Sequence, residues 1–185
     1  RSLREFTKAA WPTIEPGVEF QNNWHVDAIS DHLQAVVNGD IKRLIINVPP
    51  RHMKSISVAV ALPAWTWTHQ PHKKFLYASY ASSLSIRDST KCRRLIDSPW
   101  YKRHFDSFEL TSDQNQKQRF ENDKTGYRIA TSVGGALTGD GGDIICIDDP
   151  HNVVESDSSK VREGVLEWWD QAMQTRLNDP RTGAF

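Results

Sequence analysis

Residues 44–55 read LIINVPPRHMKS, and this stretch decides the fold. An apolar run (44–48, LIINV) meets the tight loop Pro49-Pro50-Arg51-His52-Met53, then Lys54-Ser55 at the head of a segment with helical spacing. Strand, tight loop, Lys-Ser and helix is the layout of a phosphate-binding loop. Backbone N–H groups and the helix N-terminus face the phosphates. The lysine reaches the β- and γ-phosphates, and the hydroxyl ligates Mg²⁺. The usual pattern, G-x-x-x-x-G-K-[ST], has glycines where this chain has Val48 and Met53. Pro50, Arg51, His52, Met53, Lys54 and Ser55 are therefore the candidate nucleotide-binding residues. Arg51 adds a cation beside the phosphates, and its bland alternative is a surface ion pair. His52 is expected to pack the loop rather than act chemically.

Outward from this loop, three more short apolar runs occur at 75–80 (FLYASY), 127–131 (YRIAT) and 144–147 (IICI). None alternates strictly, which suits strands buried on both faces of a parallel sheet. Helical patterns at 54–68 and 83–97 lie between runs, so the spacing predicts βαβ crossovers and a three-layer α/β domain with a mainly parallel sheet. Residues 24–38 place Val26, Ile29, Leu33, Val36 and Val37 on one helix stripe, stopped by Gly39. A further helix is predicted at 157–177. Residues 1–23, with Pro12, Pro16 and Gly17 among aromatics, read as an irregular arm ahead of a domain at 24–185. Ala184 and Phe185 open a further strand. A chain that starts without Met and stops there is expected to be a piece of a longer protein.

The run at 144–147 ends in Asp148-Asp149-Pro150. Paired with Lys54-Ser55, the first acid is placed to help hold Mg²⁺ together with Ser55, and the second to orient or deprotonate an attacking water. The alternative for Asp149-Pro150 is a strand-ending turn. Five of the ten glycines crowd into 134–142, in a loop that serves either as a close backbone approach to a ligand or as a mobile connector. Arg87, Lys91 and Arg94 share one helix face, which suits DNA phosphates or plain solvent. Trp65, Trp67, Trp100, Trp168 and Trp169 read as packing residues.

The chain has 185 residues, with 23 Lys plus Arg against 23 Asp plus Glu. A neutral total excludes a uniformly basic coat, but it hides a basic third (71–104) and an acidic third (140–170). Two cysteines exclude a disulfide scaffold, and Cys146 in its apolar run reads as a buried thiol. Zinc-like spacing is missing from the seven histidines and two cysteines. No apolar stretch reaches the ~20 residues of a membrane helix, and no signal peptide is visible.

These motifs, in this order, resemble the ATPase domain of the large terminase subunit of tailed bacteriophages and prophages. The resemblance runs from Trp24 onward and rests on PPRHMKS (49–55), FLYASYASSLSIRDSTKCRRLI (75–96), LTGDGGD (137–143) with IICIDDPHN (144–152), and WWDQAMQTRLNDP (168–180). It implies a P-loop NTPase fold of the ASCE/RecA-like kind, with ATP and Mg²⁺ as cofactors. It also implies a motor that pumps double-stranded DNA into a capsid through a portal protein, with a small terminase subunit as partner and a homo-oligomeric ring of about five subunits. Its place would be the host cytoplasm, transiently docked on the procapsid portal. Family members also carry a nuclease domain and a coupling segment, both expected beyond Phe185. The resemblance implies Lys54 and Ser55 on phosphates and metal, Asp148 on metal, and Asp149 as base, with Glu155 as a second candidate for the base because aspartate is short. Arg51 is the in-cis cation. Trp24 is a candidate for stacking on the base, alongside Gln21 and His25 of the same region. Arg119, Arg128 and Arg162 are candidates for an arginine supplied by a neighbouring subunit, and Thr138 stands where some relatives have one. A helicase-like ATPase and a non-hydrolysing docking module are the rival readings.

Overall fold

A computed structural model describes residues 2–135, 139–152 and 154–185. It is an α/β fold, with a five-stranded mixed sheet and six α-helices among the described residues. The strands are β1 (Phe75–Ser79), β2 (Leu110–Asn115), β3 (Arg119–Asn122), β4 (Tyr127–Ser132) and β5 (Ile144–Asp148), in the order β2-β3-β4-β1-β5. The three apolar runs at 75–80, 127–131 and 144–147 form the parallel part, β4-β1-β5. Phe75 and Tyr77 of β1 face one core while Leu76 and Ala78 face the other, so this strand is buried on both sides.

The sequence pattern predicts a mainly parallel sheet, and the structure corrects this. The sheet is mixed: β2 and β3 pair antiparallel with each other, and β3 with β4. Their sequences, LTSDQN and RFEN, carry no continuous apolar run, because β2 is half-exposed and β3 buries only its alternate residues, Phe120 and Asn122. Residues 44–48, expected to be a strand, lie outside the five. They are extended, with Leu44, Ile46 and Val48 packed on the core while Ile45 is 85% exposed. Their tie to the sheet is short. The Leu44 N–H donates to Phe185 O and the Phe185 N–H to Lys42 O, and Ala184 bridges Ile144 in parallel.

One layer of helices covers the Phe75/Tyr77 face: α1 (Leu3–Ile14), α2 (Trp24–Asn38), α3 (Leu62–Trp67), α4 (Ser82–Asp97) and α5 (Pro99–His104). The stretch expected to be an irregular arm carries α1. Ser2 and Glu5 form a capping box that satisfies its first N–H groups, and Leu3, Phe6, Ala10 and Ile14 enter the main core despite Pro12. α2 spans the predicted residues, capped by the Asn23 side chain and closed by Gly39 at φ +88°, a left-handed position that glycine adopts without strain. The other face is covered by residues after α6 (Ser159–Trp168), where a π-helical segment, Trp169–Met173, puts Met173 against Leu76 and Ile145. Trp65 and Trp67 are buried, and Trp100, Trp168 and Trp169 pack at core margins, as expected. No helix of the described residues is long and apolar enough to cross a membrane.

Cys92 is wholly buried, while Cys146, expected to be buried, is half-buried in β5 beside Tyr77. Burial is the largest cause that pushes both thiols up to about 12. At pH 8 only roughly one thiol in ten thousand is then ionised. We expect the folded protein to resist thiol-labelling reagents while the urea-unfolded chain reacts at both positions. Rapid labelling of the folded protein would contradict the packing described.

Candidate functional site

The head of the helical run after the loop and the tail of β5 meet in space, although 93 to 95 residues separate them. Lys54 Nζ lies 2.6 Å from Asp149 Oδ1 and 2.9 Å from Asp148 Oδ1. Ser55 Oγ donates to Asp148 Oδ2 at 2.6 Å. Burial disfavours the Lys54 ammonium, but the hydrogen bonds and charges of Asp149 and Asp148 outweigh it and hold its pKa above the ordinary lysine value. Lys54 is thus a fixed cation, gripped by two carboxylates.

These residues border a cavity of about 1160 Å³. Residues 48–56, the strand ends at 78–80 and residues 148–151 line it, so Pro50, Arg51, His52, Met53, Lys54, Ser55, Asp148 and Asp149 all converge there. The loop reaches this shape without glycine: Arg51 and Met53 take φ +67° and +63°, and Asp149 takes φ +47°. Met53 stands at the second glycine place of the usual pattern, and its backbone adopts the conformation that glycine would supply. The left-handed conformation strains a non-glycine residue by roughly 1–2 kcal/mol. We expect Met53→Gly to be neutral or to stabilise by up to about 1 kcal/mol, the relief being partly offset by unfolded-state entropy. Met53→Val, β-branched, should destabilise by about 1–2 kcal/mol. Urea unfolding of the two variants checks this, and Gly destabilising more than Val would contradict it. His52 packs the loop as expected, its Nδ1 lying 2.9 Å from Pro50 O.

Two expected site residues are elsewhere. Glu155 is exposed and does not line the cavity, because its N–H closes a turn on Asn152 O beyond the strand end. Trp24 is 77% exposed and also lies outside the lining; its ring meets that of His25, which in turn lies 5.3 Å from that of His52. Trp11, Glu15 and Val18 line the cavity instead. Trp11 donates its indole N–H to Val18 O and meets Phe20 edge-on, so it builds a wall. Glu15 is ion-paired with Lys91 of α4. The aromatic content of 1–23 is visible in the sequence, but its position over the loop depends on how α1 packs.

The basic stripe on α4 is partly neutralised. Arg87 pairs with Asp88, Lys91 with Glu15, and Arg94 is exposed. Arg87 also lines the cavity and lies close enough to Asp148 to feel its charge, a placement that helix-face reasoning misses. His151 borders the cavity too, with its Nε2 buried and without a partner. Of the arginines considered for a neighbouring subunit, Arg128 is wholly buried and cannot reach one. Arg119 bonds Glu121 and Asp140, and Arg162 bonds Ser156 O. Thr138 lies outside the described residues, as do Ala136 and Leu137 of the same loop.

The described residues include no cluster of three or more His, Cys, Asp or Glu side chains able to hold a metal. One hydroxyl and one carboxylate, Ser55 Oγ and Asp148, still fit Mg²⁺, a hard cation that keeps several waters and takes its other oxygens from phosphates. No family model matches the chain, and no curated protein matches it.

Proposed function

We propose that the chain is a P-loop ATPase domain, and that it powers double-stranded DNA packaging as part of a large terminase subunit. One observation carries the nucleotide reading: Lys54 and Ser55, at the head of a helix, converge with Asp148 and Asp149, at the end of a buried strand, on one cavity. The chain path also supports it, since the segment at 42–44 is tied to β5 through Ala184–Phe185, and the loop that follows it and the two acids border the same cavity.

Each residue then has a chemical task. Lys54 exchanges its carboxylate partners for β- and γ-phosphate oxygens, and that exchange releases Asp149. Freed, Asp149 accepts the proton of the attacking water. Ser55 and Asp148 would hold Mg²⁺, which would neutralise charge on the phosphates. Arg51 faces the charge that develops at the γ-phosphate. Trp11 and Val18 offer the base an apolar wall. The backbone strain at Arg51, Met53 and Asp149 supports a functional loop over a decayed one, because such strain collects at working sites.

Packaging, the portal protein, the small subunit and a ring of about five copies rest on the terminase resemblance. A packaging motor must ignore base sequence, so DNA contact would be to phosphates. The test is ATP turnover with and without double-stranded DNA of random sequence. The expected result is stimulation that is independent of sequence, falls steeply with salt, and comes without strand separation. Stimulation by single strands accompanied by unwinding would favour a helicase-like ATPase and overturn the packaging assignment.

A further inference from the structure

Pro63 is the second residue of α3, inside the helical run that begins at Lys54, and it has no N–H to give. In a regular α-helix the N–H of residue 63 would serve the Ala59 carbonyl, and a proline ring there presses on that carbonyl. The chain widens instead. Ile56–Ala61 takes the π form, with the Leu62 N–H bonded to Ser57 O. In this register the N–H of residue 63 would serve Val58 O. Both carbonyls are supplied from the sheet. Tyr77 Oη of β1 donates to Val58 O at 2.8 Å, and Arg128 Nη2 of β4 donates to Ala59 O at 3.0 Å.

Arg128 is an unusual choice for this task. It is wholly buried, its Nε and Nη1 have no partner, and no carboxylate among the described residues forms an ion pair with it. Its compensation is the Ala59 carbonyl and the face of Tyr77, whose ring centre lies 4.2 Å from the guanidinium carbon. A buried cation so poorly matched destabilises a fold, and such breaches of local rules mark functional positions.

We propose that Arg128 is a positioning residue for the phosphate loop. It supplies the donor to Ala59 O, the carbonyl that the N–H of residue 63 would serve in a regular α-helix, while Tyr77 serves Val58 O; together they hold the π turn Ile56–Ala61 in register and so fix where Lys54 and Ser55 enter the cavity. The π turn takes up one extra residue of winding. Loss of that residue would rotate everything before it by about 100° and shift it by ~1.5 Å along the helix axis. Lys54 would then leave Asp148 and Asp149.

The consequence for nucleotide rests on the ATPase reading; the latch itself does not, and the test separates them. Amide hydrogen exchange over residues 56–62 is compared in wild type, Arg128→Met, Pro63→Ala and the double variant, together with KM for ATP and kcat. Arg128→Met should raise exchange at least tenfold over these residues and raise KM for ATP about tenfold, with a smaller change in kcat. Pro63→Ala lets the run return to the α register, in which the N–H of residue 63 serves Ala59 O, so adding Arg128→Met to it should change exchange less than twofold. If Arg128→Met fails to fold, Arg128→Lys, which keeps a donor and the charge but not the planar fork, takes its place, with an intermediate rise expected. Unchanged exchange in folded Arg128→Met or Arg128→Lys, or an equal rise in the wild-type and Pro63→Ala backgrounds, overturns the proposal. The expected exchange pattern in a protein that binds no ATP would uphold the latch and reject the ATPase reading instead.

Discussion

Lys54→Ala is expected to cut ATP turnover by roughly 10³-fold, the scale on which removing one preorganised charge at a developing anion acts. Among the described residues, the ammonium is the one side chain ion-paired with both Asp148 and Asp149, and both contacts are short. Its removal deletes the phosphate-facing cation and leaves two carboxylates facing the cavity together, which also repels a nucleotide. Binding should therefore weaken along with turnover. The fold should survive, because the pair is partly solvent-exposed and such ion pairs add about 1 kcal/mol or less to stability. Phosphate release measured beside a thermal melt separates the two effects. A folded Lys54→Ala protein with near wild-type turnover would refute the phosphate-loop assignment.

Asp149→Asn should behave differently. Asparagine has the same size and tolerates the left-handed backbone at least as well as aspartate, so the φ +47° at this position is no obstacle. The carboxylate that would accept the water's proton is lost. Turnover should fall by about 10²–10⁴-fold, the range for loss of a general base, while Mg·ATP binding stays within a few-fold of wild type. Single-turnover phosphate release and equilibrium binding together check this. Normal hydrolysis would remove Asp149 from the base role. Glu155, exposed beyond the cavity, would be a poor replacement without a change in the segment that carries it.

The site is easier to read from sequence than the fold around it. Lys54-Ser55 and Asp148-Asp149 are local patterns, each fixed to an element end, and βαβ winding carries element ends to one edge of a sheet. The buried runs that form β1, β4 and β5 are legible because strands covered on both faces need continuous apolar sequence. β2 and β3 are not, because a half-exposed strand tolerates LTSDQN and β3 buries only alternate residues, Phe120 and Asn122. α1 escapes the reading for a different reason. Pro12 and Pro16 point toward irregular chain, while the Ser2-x-x-Glu5 box and the spacing of Leu3, Phe6, Ala10 and Ile14 carry the helix. The π turn is latent in Pro63, but only the sheet reveals that Tyr77 and Arg128 supply the missing donors. Trp24 shows the limit of chemical type as a guide. A tryptophan at a helix start suits base stacking, yet the packing of α1 puts Trp11 and Val18 at the cavity and leaves Trp24 in solvent.

The same geometry explains how a loop without glycines can keep its shape. Glycine lowers the strain of left-handed backbone but does not create that backbone, and Arg51 and Met53 show that neighbours can impose it. Here the imposing elements are the start of the helical run, the His52 contact with Pro50 O, and the latch behind the π turn.

Equilibrium binding of Mg·ATP, by calorimetry on the wild-type chain and on Lys54→Ala, with and without a chelator of Mg²⁺, tests the central claim most directly. The account predicts one site per chain, weakened both by removing Mg²⁺ and by Lys54→Ala. Absence of binding at millimolar ATP, or binding equal in the two proteins, would contradict it.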